Sequence, residues 1–200
     1  VVAVLLLAGG TVHAEVELGR DYNVLPSPQP VGGKKIEVLE FFFYGCGHCF
    51  NLHTSLVEWE KKMPKDAELT YVPTIFRDNM EQMARTFYAL ESMGKLKQLH
   101  DPLYRAWNID GVKLFDEKQI ADFVSSKGVD REKFLAAYNS FSMQSRVTRA
   151  KQMTRSYMIS GTPTLIVDGK YVITGLQPDD TISALDEVIA LARKSRASGK

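Results

Sequence analysis

Apolar positions along this chain follow two periods, and the order in which the periods alternate sets the expected fold. Ile36, Val38, Leu39, Phe41, Phe42 and Phe43 form a nearly continuous β-prone run, suited to a strand covered on both faces. From Cys46, apolar residues recur at helical spacing (Cys49, Leu52, Leu56, Trp59, Met63) until Pro64 stops the pattern. Leu69, Tyr71, Val72, Ile75 and Phe76 give a second strand over residues 68–76, where Pro73 predicts an irregularity or a sheet edge. A short strand at 22–25 precedes all of these and is broken by the Pro26, Pro28, Pro30, Gly32, Gly33 cluster.

A helical block follows. Residues 80–93 read as a helix ended by Gly94, and 96–107 as another, distorted at Pro102. Asp116 caps a helix closed by Gly128, Asp130 caps one running to Tyr138, and 142–158 form a longer one. The chain then returns to β: Thr164–Val167, an Asp168-Gly169-Lys170 turn and Tyr171–Ile173 predict a hairpin. A last helix starts at Asp179 or Asp180 and buries Ile182, Leu185, Val188, Ile189 and Ala192, and the tail from Lys194 reads as a basic, frayed end. The order is thus β-α-β, helices, β-β-α.

With 200 residues, 44% of them hydrophobic and 24% charged, the chain suits one soluble domain carrying an insertion. A formal net charge of +1 argues against a nucleic-acid partner or a polybasic membrane contact. Residues 1–10 are an apolar run too short to span a bilayer, and Thr11-Val12-His13-Ala14 follows. This pattern reads as the remainder of a secretory signal peptide over 1–14, with Val12 and Ala14 in its small-residue positions. The mature protein would begin near Glu15, in an oxidising compartment.

The only two cysteines, Cys46 and Cys49, stand at the junction of strand and helix. Residues three apart on a helix lie one turn from each other, close enough for a disulfide to open and close with little backbone movement. Cys46, in the first turn, is favoured as a thiolate by unpaired N–H groups and the helix dipole. Cys49, one turn further in, should be buried and less ionised. That division makes Cys46 the attacking thiol and Cys49 the resolving one, with His48 offering a hydrogen bond or a positive charge to the Cys46 sulfur. A zinc site would draw on His48, His53 or the distant His100 and is short of ligands, and haem attachment would need His where Phe50 stands. A purely structural disulfide across so small a loop would contribute little.

Glu40 is the second anomaly. A carboxylate between Leu39 and Phe41 in a buried strand needs a partner or a task, and its pKa should be raised by desolvation. Because its strand leads to Cys46, it is a candidate to take the proton from the Cys49 thiol.

The stretch Val38-Leu39-Glu40-Phe41-Phe42-Phe43-Tyr44-Gly45-Cys46-Gly47-His48-Cys49 resembles the DsbA family, periplasmic thiol:disulfide oxidants of the thioredoxin superfamily. Gly161-Thr162-Pro163-Thr164-Leu165 is similar to the cis-proline loop that faces the active site in that superfamily. The resemblance implies a thioredoxin fold with a mixed central sheet, over 15–78 and 160–195, and a helical domain inserted at 79–159. It implies a monomer in the periplasm that donates the Cys46–Cys49 disulfide to reduced exported polypeptides. A DsbB-like membrane quinone reductase would reoxidise it, with no cofactor or metal beyond the cysteine pair. Gly47, Thr162 and Pro163 would form the substrate-binding surface, with the backbone of Thr162 pairing an extended peptide. Two positions depart from the family pattern: Gly47 stands where the best-known member has Pro, and Thr70 or Tyr71 falls where a lysine accompanies the buried acid. A disulfide isomerase or reductase of the same fold is the alternative. Isomerases of the DsbC kind carry an N-terminal dimerisation domain, for which residues 15–35 are too short.

Overall fold

A computed structural model describes residues 16–199 apart from position 113, so the expected signal segment at 1–14 lies outside the described residues. The elements are β1 (Asn23–Val24), β2 (Ile36–Phe42), α1 (Gly47–Glu60), β3 (Ala67–Pro73), α2 (Glu81–Ser92), α3 (Leu96–Asn108), α4 (Glu117–Ser126), α5 (Arg131–Tyr138), α6 (Phe141–Ser156), β4 (Thr164–Val167), β5 (Tyr171–Thr174) and α7 (Pro178–Ala197). The sheet order is β1-β5-β4-β2-β3. β2 pairs parallel with β3 and antiparallel with β4, which makes the sheet mixed.

Pro73 resolves as the sequence suggested: β3 is an edge strand and ends at that residue. Proline has no N–H to give, and the next residue restores the pairing, Thr74 N–H donating to the Phe42 carbonyl at 2.8 Å. The hairpin turn is built from left-handed residues, Asp168 (φ 55°) and Gly169 (φ 64°). Glycine is required at 169 for a second reason, since a Cβ there would lie 2.2 Å from the Gln29 carbonyl oxygen. The helix caps also form as read: Asp116 accepts from Gln119 N–H at 2.8 Å and Asp130 from Lys133 N–H at 2.9 Å.

Pro102 lies inside α3, which runs through it. One reading needed correction. The C-terminal tail is not frayed at Lys194, because α7 starts on Pro178, continues to Ala197 and uses Arg196 as a clamp. The Arg196 guanidinium pairs with Asp168 and donates to the carbonyls of Gly33, Lys34 and Lys35 at 3.0–3.2 Å.

Alternation along β2 splits its side chains between two layers. Leu39 and Phe41 pack with Tyr157, Ile159 and Ile166 on one face. Ile36 and Val38 pack on the other with Leu52, Leu56 and Trp59 of α1 and Leu185, Val188 and Ile189 of α7. Phe42, Tyr44 and Cys49 belong instead to the core of the helical block, with Phe87, Leu99, Leu103 and Tyr104. Glu40 lies between Val38 and Phe42 on the same face, under α1.

Candidate active site

Cys46 is the N-cap of α1, with extended backbone (φ −96°, ψ 112°), and its Sγ accepts the Cys49 N–H at 3.3 Å. The turn before it is held from two sides. Cys46 N–H donates to the Phe43 carbonyl at 3.0 Å, and Asn108 Nδ2 on α3 donates to the carbonyls of Tyr44 and Tyr104, both at 2.8 Å. Gly45 fits where no larger residue would, because a Cβ there would lie 2.6 Å from the Phe43 ring, which is itself packed on Trp107.

Both cysteines are free thiols, Cys46 half-buried and Cys49 buried. Their acidities diverge. The Cys46 thiol is lowered to about 5, first by the hydrogen bond from the Cys49 side chain, against the effect of burial, then by the Thr162 side chain and the N–H groups of Cys49 and His48. The Cys49 thiol is pushed far up by burial and by the sulfur and carboxylate beside it. One cysteine is therefore a thiolate near neutral pH and the other a thiol.

The Thr162–Pro163 peptide bond is cis, and in its thiol form Cys46 donates to the Thr162 carbonyl at 3.3 Å. The loop is fixed by Thr164 Oγ1 donating to Gly161 O at 2.9 Å and Thr174 Oγ1 donating to Pro163 O at 3.2 Å. A groove of about 250 Å³ beside it is lined by His48, Asn51, Thr162, Pro163, Leu176 and Gln177, among others. His48 is exposed, and its ring makes no hydrogen bond to Cys46 among the described residues. The backbone N–H of His48 is among the groups that lower the Cys46 thiol. Gly47 is exposed, with Asn108 Oδ1 the nearest neighbour a Cβ would meet, at 3.9 Å.

Glu40 is 0% exposed, and neither carboxylate oxygen has a hydrogen-bond partner among the described residues. Burial, then the Cys46 charge, raises its carboxyl to about 8, so it is protonated at neutral pH. Tyr71 faces it across the β2–β3 ladder, and the Tyr71 hydroxyl turns away to Glu60 at 3.4 Å. No basic side chain stands at that position. Sequence reasoning weighed His100 only as a distant zinc ligand and did not find the place α3 gives it, with Nδ1 2.7 Å from the Tyr44 hydroxyl, nor Tyr104 and Asn108 beside it.

Comparison with known proteins matches this geometry. Residues 50–185 match the family described as DSBA-like thioredoxin domain. The thiol:disulfide interchange protein DsbA of Pseudomonas aeruginosa is 37% identical over 186 residues, covering 91% of this chain and 87% of its own length. Its counterpart in Azotobacter vinelandii is 35% identical, over 92% of this chain and 87% of that protein. Among solved structures, the crystal structure of Pseudomonas aeruginosa DsbA superposes with a TM-score of 0.85 at 35% identity, covering 92% of this chain and 97% of that one. The oxidoreductase NmDsbA1 from Neisseria meningitidis gives 0.82 at 29% identity, over 91% and 96%. A thioredoxin-type sheet, helices between β3 and β4, an acidic N-cap cysteine and this shared identity lead to one conclusion: the chain belongs to the DSBA-like thioredoxin domain family.

Proposed function

We propose that this protein is a periplasmic dithiol oxidase that transfers its Cys46–Cys49 disulfide to newly exported, reduced polypeptides. The observation that carries this reading is the contrast within one helical turn, Cys46 lowered to about 5 and Cys49 buried and raised. A thiolate stabilised in the reduced form makes the disulfide a stronger oxidant, by about 30 mV per 1.4 kcal/mol.

A substrate thiolate attacks Cys46 Sγ, the Cys46–Cys49 bond breaks, and Cys49 leaves as a thiolate. Glu40, protonated at neutral pH, supplies the proton Cys49 needs. A second substrate thiolate then attacks the substrate sulfur of the mixed disulfide and displaces Cys46 as a stable thiolate. Two electrons end on the cysteine pair, and the substrate gains a disulfide. Cys46 and Cys49 carry the redox equivalents, so the cycle needs no metal or other cofactor. His48, Gly47 and the Thr162-Pro163 loop line the surface that receives an extended peptide, with the Thr162 backbone as its pairing partner. Residues 15–78 and 160–195 form the thioredoxin-like domain and 79–159 the inserted helical domain. The protein acts as a monomer and is reoxidised by a DsbB-like inner-membrane quinone reductase. An isomerase or reductase role is the less favoured reading, since the relatives at this identity are interchange proteins of the DsbA kind.

The test is the redox equilibrium of the pair against glutathione, with the Cys46 pKa read from thiolate absorbance. An oxidising potential with an acidic Cys46 is expected. A strongly reducing potential with a Cys46 pKa of about 7 or above would replace the oxidase by a reductase.

A further inference from the structure

Buried polar side chains are nearly always hydrogen-bonded, and each exception costs about 1–3 kcal/mol. Seven buried side-chain nitrogen or oxygen atoms lack a partner among the described residues, and five of them are in one place. Glu40 contributes both oxygens, His53 its Nδ1, His100 its Nε2 and Tyr104 its hydroxyl. The three rings cluster edge to face or tilted: His53 lies 4.8 Å from His100 and 4.8 Å from Tyr104, centroid to centroid, and His100 lies 5.2 Å from Tyr104. Sealed by Phe42 and Phe87, this group reaches the surface only narrowly, through the 5% exposure of His53 and 6% of His100.

If Glu40 serves Cys49 as proposed above, it changes protonation in every cycle while having no contact with solvent. We propose that His53, working with His100 and Tyr104, is the proton port through which Glu40 exchanges with water. In a neutral imidazole one nitrogen donates and the other accepts, so a proton taken on one side is released on the other. His100 is poised for this exchange. Whichever way its 2.7 Å contact with Tyr44 is polarised, either an N–H or a lone pair on Nε2 is left facing the cluster. The groups around His53 are Cys49 one turn before it on its own helix and His100, Asp101 and Tyr104 on α3. Glu40 joins them through Tyr104, which senses its carboxylate, and through Tyr71, its partner across the ladder, whose ring lies 5.0 Å from His100. Burial lowers the pKa of His53, with Asp101 opposing, so the ring is neutral at pH 7 and passes protons without storing them. The balance is simple. As the enzyme is reduced, Glu40 gives its proton to the Cys49 thiolate and regains one from water through His53; reoxidation runs the path backwards. Tyr71 and Glu60 form the competing exit.

The experiment is stopped-flow reduction of the oxidised protein by a dithiol peptide in a single turnover, from pH 5 to 9, with and without imidazole. H53Q, E40Q and Y71F are compared with the parent. H53Q should be about tenfold slower near pH 7, less than the loss of a direct general acid. Added imidazole should restore the rate, while the glutathione equilibrium and the Cys46 pKa stay those of the parent. A parent-like H53Q beside a slow E40Q overturns the port and leaves the role of Glu40 intact, whereas parent-like rates in both overturn the role of Glu40 as well. A slow Y71F with a normal H53Q moves the exit to Glu60 and overturns the proposal. So does an H53Q defect that imidazole does not repair and that comes with a shifted Cys46 pKa, because that marks a structural role.

Discussion

Replacing Glu40 by Gln tests the buried carboxyl most directly. Its folded pKa of about 8 stands above the ordinary value of 4.5, so the folded state binds the proton more tightly than the unfolded chain. The sign follows: below pH 4.5 both states are protonated and Glu40 costs nothing for its charge. As pH rises toward 8 the unfolded chain ionises first and stability is lost, at about 1.4 kcal/mol per pH unit. The accumulated cost is about 3 kcal/mol at pH 7 and about 5 kcal/mol above pH 8. Gln keeps the shape and pays its own desolvation, but that penalty does not change with pH. The stability difference between E40Q and the parent should therefore grow with the slope given above between pH 5 and 8, whatever its offset. Urea denaturation at half-unit steps measures it. The oxidised protein adds a second check: the Cys46 sulfur in a disulfide carries no charge, so the rise should level off at a lower pH than in the reduced protein. A difference that is flat from pH 5 to 8 would refute the argument that burial holds Glu40 protonated.

Two other substitutions follow from the geometry. G47P places proline at the first position of α1, where the missing N–H is not needed, after a residue already in the extended conformation that proline demands. With the nearest obstruction 3.9 Å away, it should stabilise the protein by about 0.5–1 kcal/mol in thermal melts. It should also leave Cys46 acidic, because the N–H groups that lower its pKa are those of Cys49 and His48. R196A should cost about 2 kcal/mol in chemical denaturation, as Asp168 loses its charged partner and three carbonyls lose their donor. R196K, without the planar fork, should recover less than half of that loss.

What the sequence disclosed was local chemistry. The cysteine spacing, the Asp116 and Asp130 caps and the Asp168-Gly169 turn each act within a few residues, and each forms as read. Glu40 was legible because a charge inside an apolar strand violates a rule that needs no partner to be stated. The α3 contribution was not legible. Tyr44 and His100 are 56 residues apart, and in a helix pattern His100, Tyr104 and Asn108 look like polar surface positions. Arg196 failed for the same reason, since its clamp on four residues joins parts of the chain 28 to 163 residues away. The cis geometry at Pro163 came from family resemblance, because nothing in the local composition distinguishes it from an ordinary trans proline.

The placement of Phe42, Tyr44 and Cys49 in the core of the helical block bears on how such a protein can be rebuilt. A module inserted at a loop can be excised, leaving its host intact, only when the seam between them is polar. Here the seam is Phe42 against Phe87, His100 and Tyr104, and an Asn108 amide fastened to the Tyr44 carbonyl. Splicing out α2 to α6 would strip the wall from the reactive cysteines and leave their strand with a bare aromatic face. The helical block and the sheet share this apolar seam, so a chain trimmed of α2 to α6 should lose stability along with the wall of its active site.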